Sequence, residues 1–479
     1  MPDTFIGRKE ERTLLMDALR SGRSEMVAVF GRRRVGKTFL IRQVYGEHMV
    51  FTLTGLQTAE LPAQLQNFSF QLGAASGDEA PAKTPKNWLE AFFMLSQFLE
   101  TQPADKKQVV FFDEVPWLAG PKSDFVMGLG WFWNSWAEMR NAVVVICGSA
   151  ASWMIQKIVR DRGGLHNRIT RRIFLEPFTL AETEAYLQSR NIALDRYAIA
   201  QLYMALGGIP HYLKEVKPGK SATQNINDIC FSPKGLLYDE FVNLYPALFA
   251  NPEPHMAVVR ALAQAHQGLS RSDLVQTGKL SEGGNTSRVL EELEQSNFIT
   301  SYHPWGKRRK DTLFRLTDEY SLFYLRFVEP HRTRSADTWN HLSQTQAAKT
   351  WAGFAFENLC MKHVAHIKKA LGISGVYTEQ SSWRYVAKTP DDTGAQIDLL
   401  LDRKDNCINL IEIKFWADTF TVDKAYADAL RTKQQVFQSQ TKTRKSVLLT
   451  LITPFGAKEN AYYLSQVQSQ VTLDALFEG

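Results

Sequence analysis

The sequence predicts an α/β protein of several domains, and three observations carry that prediction. Apolar strands alternate with helical patterns through the first 175 residues. Three helical patterns and a basic hairpin follow at 255–328, and two strongly apolar strands, each bearing a carboxylate, lie between 395 and 415. At 479 residues the chain exceeds one ordinary core, so two to four domains are expected. The expected divisions are a core at 1–175, a helical segment at 176–250, a third domain at 251–328, a charged linker at 329–345 and a last domain at 346–479.

Bulk properties narrow the function classes. With 44% hydrophobic and 22% charged residues the chain reads as globular and soluble. Its longest nearly apolar run, at 143–155, is shorter than the roughly 18–20 residues of a membrane span, so no membrane partner is expected. Four cysteines lie far apart without a CxxC pair, which points to a reducing cytoplasm and away from a zinc knuckle. The net charge of +6 permits nucleic-acid binding without demanding it.

The strands of the first domain are "MVAVFG" (26–31), "QVVFFDE" (108–114) and "AVVVICGS" (142–149), apolar enough for a parallel sheet covered on both faces. Between the first strand and a helix lies "GRRRVGKT", matching GxxxxGK[ST]. Backbone N–H groups of Gly31, Arg32, Arg33, Arg34, Val35 and Gly36, with the helix N-terminus, form a cradle for phosphates. Lys37 is placed to reach the outer phosphates and Thr38 to ligate Mg²⁺. At the end of "VVFFDE", Asp113 is the expected second magnesium partner and Glu114 the group that polarises an attacking water. Ser149 ends the next strand, placed to touch the γ-phosphate or that water. Among the arginines that follow, Arg168 is the candidate for stabilising transition-state charge. The aromatic stretch 128–139 is expected in the core rather than as a base-stacking surface.

Together "FIGRKEE", "FGRRRVGKT", "FFDEVPWL", "ICGSAASWM" and "GGIPHYL" resemble the archaeal-type ATPases, a branch of the AAA+/STAND NTPases. The resemblance spans about 1–250 and implies ATP, Mg²⁺, a P-loop ATPase core, and a helical lid that moves with nucleotide state. It also implies that Gly7 and Arg8 lie near the adenine, and that the turn with Gly207, Gly208 and Pro210 brings the lid onto the nucleotide.

The segment 255–328 has the order of a winged helix. "WGKRRK" puts Lys307, Arg308, Arg309 and Lys310 at the hairpin tip. Four phosphate contacts there would give a salt slope of at most about −3.6, at roughly −0.9 per contact. The third helical pattern carries Glu291, Glu292 and Glu294, which argues against base reading by that element.

In "LIEIKFW" (410–416), strand alternation sets Ile411, Ile413 and Phe415 on one side and Glu412 with Lys414 on the other. The preceding strand, "AQIDLLLDRKDN" (395–406), supplies Asp398. Spacing alone is weak, because with each charged type near 6% a D…ExK array arises about once by chance in a chain this long. The two adjacent apolar strands give it weight. Asp398 and Glu412 suit one or two Mg²⁺ or Mn²⁺ ions, and Lys414 suits orientation of water at a phosphodiester. The array resembles PD-(D/E)XK nucleases, with "QID" lacking the usual proline. That resemblance implies Glu357 as an added metal ligand on the preceding helix, and an accessory helix carrying Lys433 and Gln434. His363 and His366 are expected to be packing residues.

The fold expected is therefore α/β: a P-loop NTPase parallel sheet with helical lid, a winged-helix domain, and a C-terminal α/β PD-(D/E)XK nuclease-like domain. The expected function is an ATP-hydrolysing protein that couples nucleotide state to a metal-dependent nuclease on nucleic acid, DNA favoured, with a homo-oligomer as a possible form. The alternative is a nucleotide-gated regulatory or scaffold ATPase whose nuclease-like domain only binds DNA or a protein.

Overall fold

All six residues of β1 (Glu25–Phe30) and all seven of β4 (Ala142–Gly148) are buried, as central parallel strands covered on both faces require. With β2 (Met49–Thr54), β3 (Gln108–Asp113) and β5 (Arg171–Phe174) they form one sheet in the order β2-β3-β4-β1-β5. Every pairing in it is parallel. The computed structural model describes residues 5–77, 81–103, 106–120, 123–160, 163–165, 167–265, 267–307, 311–332, 337–389 and 392–478. The chain falls into two units: one runs to Pro177 with returns at Leu248–Ala250 and Glu291–Ser296, and the other takes the rest.

The aromatic stretch near 130 belongs to the core of the first unit. Leu129, Phe132, Trp133 and Trp136 are buried on and just after the helix Phe125–Ser135. Phe92, from the helix Trp88–Glu100, stacks on Phe132 with centroids 5.4 Å apart. Gly128 permits that approach, since a Cβ there would come within 2.8 Å of the Phe92 ring. Each large side chain so buried contributes about 1.5–3 kcal/mol relative to exposure.

The second unit holds a small antiparallel sheet, β6 (Leu269–Ser270), β7 (Ile299–Tyr302) and β8 (Leu313–Leu316), in the order β6-β8-β7. Helices Glu253–Gln264, Arg271–Thr277 and Gly284–Gln295 precede the β7–β8 hairpin. That hairpin is anchored. Trp305 donates its backbone N–H to Ser382 O at 2.9 Å and its indole N–H to Asp402 at 2.9 Å, and its ring packs on Phe437. Lys307 is exposed beside it, while Arg308, Arg309 and Lys310 lie outside the described residues. The stretch expected as a linker carries packed structure too: Trp339, in the helix Thr338–Leu342, is buried against Phe231, Phe323, Phe327 and Trp351.

A five-stranded mixed sheet completes this unit: β9 (Thr378–Tyr385), β10 (Ala395–Arg403), β11 (Cys407–Ile413), β12 (Ser446–Thr453) and β13 (Ser469–Thr472), in the order β13-β12-β11-β10-β9. β10 runs antiparallel to both of its neighbours, β9 and β11, and β11, β12 and β13 run parallel. Helix Gln346–Lys362 precedes β9, and helix Lys424–Thr441 connects β11 to β12. β11 is the middle strand, so its residues from Ile408 to Ile413 are all buried, the charged Glu412 among them. Among the described residues no helix is long and apolar enough to cross a membrane.

Candidate functional site

Gly31 turns the chain off β1 at φ +148°, where a Cβ would stand 2.3 Å from Leu175 O. Gly36, at φ +94°, leads into the helix Lys37–Tyr45. Arg32 and Val35 are buried between them, Arg33 and Arg34 are half-buried, and Arg34 takes φ +73°. Lys37 is held inside this loop, donating to Gly31 O at 3.1 Å and Arg32 O at 2.9 Å. The Thr38 hydroxyl donates to Asp113 Oδ2 at 2.7 Å, and Asp113 Oδ1 accepts the Glu114 N–H at 3.0 Å. A hydroxyl and a carboxylate converging beside an amide-lined loop fit a divalent cation carrying phosphates. Gly7 and Arg8 both have positive φ, and Arg8 Nη2 donates to Val35 O at 3.3 Å. The N-terminal strap is thereby tied to the phosphate loop.

Because β4 lies between β1 and β3, its end meets the ends of both. Ser149 donates its N–H at 3.1 Å and its hydroxyl at 2.8 Å to Glu114 Oε2. The serine expected to touch phosphate or water is bonded here to the acidic residue that would polarise water. Glu114 is left-handed at φ +50°, a conformation costing roughly 1–2 kcal/mol in an L-residue, and these two bonds fix its direction.

The second cluster forms on the mixed sheet. Leu399 pairs with Ile411, so one step further the antiparallel register sets Asp398 opposite Glu412 on the same face. Against β9, Ile397 pairs with Trp383 and Leu400 with Ser381, so Asp398 and Leu399 together face Ser382. That β-bulge re-aims the strand at the carboxylate. Asp398 Oδ2 accepts the Ile413 N–H at 3.2 Å. Glu412 is fully buried; its Oε2 meets Lys433 Nζ at 2.6 Å, and its Oε1 is buried without a partner. Burial first, then the Asp398 charge, pushes the Glu412 carboxyl up to about 7 against the pull of Lys433 and Lys414. The same two causes raise Glu357 well above the ordinary carboxyl range.

An orphaned buried carboxylate oxygen among mutually repelling acids fits a cation. Asp398 and Glu412 are the pair that would hold it. Glu357 feels both charges, yet among the described residues no three His, Cys, Asp or Glu side chains converge as a metal-binding group. Lys414 extends from the end of β11, its ammonium 5.7 Å from the Tyr426 ring centre. The ion pair of Glu412 is with Lys433, not Lys414. Tyr426 and Lys433 are seven residues apart on one helix, a spacing that puts both on the face toward the sheet. That i, i+7 relation was the available signal for Tyr426, which the sequence reading missed.

Residues 5–216 match the family of ATPase domains found predominantly in Archaea. This segment is a P-loop ATPase domain. An uncharacterized protein of Methanocaldococcus jannaschii is 22% identical over 441 residues, covering 90% of this chain and 92% of its own. Similar solved structures include a Walker-type ATPase of Pyrococcus abyssi, 19% identical, covering 68% of this chain and 97% of that one with a TM-score of 0.49. The ORC2 protein of Aeropyrum pernix is 16% identical, covering 67% and 92%, with a TM-score of 0.38.

Within the ATPase domain, Arg168 is not brought to the phosphate loop. Thr170 N–H donates to Met26 O near the start of β1, whereas the loop begins at Gly31. Five strand residues separate the two ends, about 16 Å at roughly 3.3 Å per residue. Arg168 pairs there with Glu138 at 2.7 Å, so the geometry does not give it the expected role toward its own chain's nucleotide. The GGxP turn lies in the second unit. Gly207 has φ +67°, Phe178 N–H donates to Gly208 O at 2.6 Å, and Pro210 opens the short helix Pro210–Leu213. His363 is a packing residue, buried with Nδ1 2.8 Å from Leu359 O.

Proposed function

We propose that ATP binding and hydrolysis in this protein govern a metal-dependent phosphodiester hydrolase in its C-terminal part, acting on nucleic acid, with DNA the favoured substrate. In the ATPase domain, Lys37 and the loop amides hold the phosphates, Thr38 and Asp113 hold Mg²⁺, and Glu114, steadied by Ser149, orients the attacking water. The observation that carries the second activity is the pairing of Asp398 with Glu412 on facing strands, with Glu412 Oε1 unpartnered. Mg²⁺ or Mn²⁺ bound there would supply charge neutralisation at the phosphate and an acidified water. Asp398 and Glu412 hold it, Lys433 fixes the Glu412 carboxylate, and Lys414 stands at the strand end to orient water or offset developing charge.

The test is a cleavage assay crossing ATP, ADP and no nucleotide with Mg²⁺, Mn²⁺ or EDTA, on single- and double-stranded DNA and RNA. Cleavage lost in Asp398→Ala with ATPase intact, and altered in Lys37→Ala, is the expected result. Asp398→Ala cutting as well as the parent would overturn the assignment.

One observation favours a second reading. Lys433 already neutralises Glu412, and no three-ligand group is assembled among the described residues. A nucleotide-gated scaffold, binding DNA or protein through an inactive nuclease-like domain, would show nucleotide-dependent association and no cleavage with any metal.

A further inference from the structure

Arg315 lies on β8 and is only 7% exposed. Its Nη1 contacts Asn358 Oδ1 at 3.4 Å and Met361 Sδ at 3.3 Å, its Nε is buried without a partner, and it forms no ion pair among the described residues. A guanidinium does not give up its proton, so this charge stays buried; Glu357 feels its field but does not reach ion-pair distance, which leaves the guanidinium only partly compensated. The Tyr302 ring, 5.4 Å away, offers only its face.

Arg315 lines a cavity of about 290 Å³ between the small sheet and β9. Thr300 and His303 are exposed on its wall, and Ser381 and Ser382 line it from β9. The Ser381 hydroxyl is buried and unpartnered. Among the described residues no acidic side chain lines the cavity. A fixed cation beside an unpartnered hydroxyl, with no lining carboxylate among the described residues, makes a site for an anion with several acceptor oxygens. Ser382 also stands opposite the bulge that carries Asp398.

We propose that Arg315 and the serines of β9 form a phosphoryl-binding pocket that receives a phosphate of a nucleic-acid strand beside the Asp398 bulge. The choice of a strand as the source rests on the nuclease reading; the anion chemistry does not.

The test uses the full-length chain carrying Lys37→Ala, which removes phosphate capture by the P-loop, in metal-free buffer at fixed ionic strength. Four probes are titrated: inorganic phosphate, AMP, a 5′-phosphorylated oligonucleotide and its 5′-hydroxyl counterpart. Adding Arg315→Met should weaken oligonucleotide binding about tenfold or more, the loss of a charge-assisted contact. Loss confined to the phosphorylated strand assigns a terminal phosphate, and equal loss in both assigns a backbone phosphate. Arg315-dependent binding of inorganic phosphate or AMP alone would overturn the strand as source. Unchanged binding of every probe would overturn the pocket. Should Arg315→Met not fold, Arg315→Lys and Ser381→Ala carry the same comparison. Cleavage is never read, so a chain that fails to cut yet binds phosphate through Arg315 would sink the nuclease reading alone.

Discussion

Lys433 reaches across from its helix to Glu412 at 2.6 Å, pairing a partly exposed cation with a fully buried carboxylate. Removing one partner of a buried pair costs roughly 3–5 kcal/mol, because the remaining charge is stranded. Lys433→Met should fall below that range, because Lys433 is 28% exposed and the Glu412 carboxyl, already pushed up to about 7, takes a proton once the ammonium is gone. Lys433→Met combined with Glu412→Gln should recover most of the loss. Denaturant melts of the single and double variants check this, and additive losses would show that the pair is not coupled.

Ser149 holds Glu114 by two hydrogen bonds. Ser149→Ala removes the hydroxyl donor at 2.8 Å but keeps the backbone donor. Losing a hydrogen bond to a charged group costs roughly 1.5–3 kcal/mol, so turnover of ATP should drop about 10- to 100-fold. ATP affinity should stay within about twofold of the parent, by nucleotide titration beside steady-state kinetics. A matching loss of affinity would place Ser149 on the nucleotide instead.

Arg168→Ala should leave ATP turnover within about twofold at concentrations where the chain is monomeric, because the residue sits at the far end of the sheet. A collapse of turnover that appears only at high protein concentration would instead mark it as acting on a neighbouring subunit's nucleotide.

His363 sets a pH dependence of stability. Burial is the first cause holding its imidazole down at about 4, below the usual 6.5. The unfolded chain binds the extra proton first, so stability is intact above pH 6.5 and is lost as pH falls toward 4. The slope is at most about 1.4 kcal/mol per pH unit. The raised Glu412 and Glu357 carboxyls act in the opposite sense over this range. The effect is therefore read as the difference between parent and His363→Gln in urea melts from pH 7 to 4.5: the parent should lose stability relative to the variant as pH falls.

What the sequence showed and hid follows from locality. The β1 run, the glycines bounding 31–36 and the buried aromatic helix are local patterns, and each stands where expected. β2 and β5 escaped notice because one is half-exposed and the other is four residues long, opening with two arginines. The distance of Arg168 from its own chain's phosphate loop was not legible, because chain order does not reveal at which end of a sheet a residue lies. The Lys433–Glu412 pair spans 21 residues and depends on how a helix crosses the sheet, while Glu412 and Asp398 were legible as neighbours on adjoining strands. Arg315 stood in plain view in "LFRL", a lone cation on an apolar strand, but its burial without a direct ion pair is a property of the folded surroundings.

The Trp305 anchor has a mechanical consequence. Its indole is bonded to Asp402, and Asp402 lies four residues from Asp398 on the same strand. A displacement of the hairpin therefore reaches β10 through one hydrogen bond, four residues from Asp398. Position at Asp398 and position at the hairpin are thereby linked through a single strand.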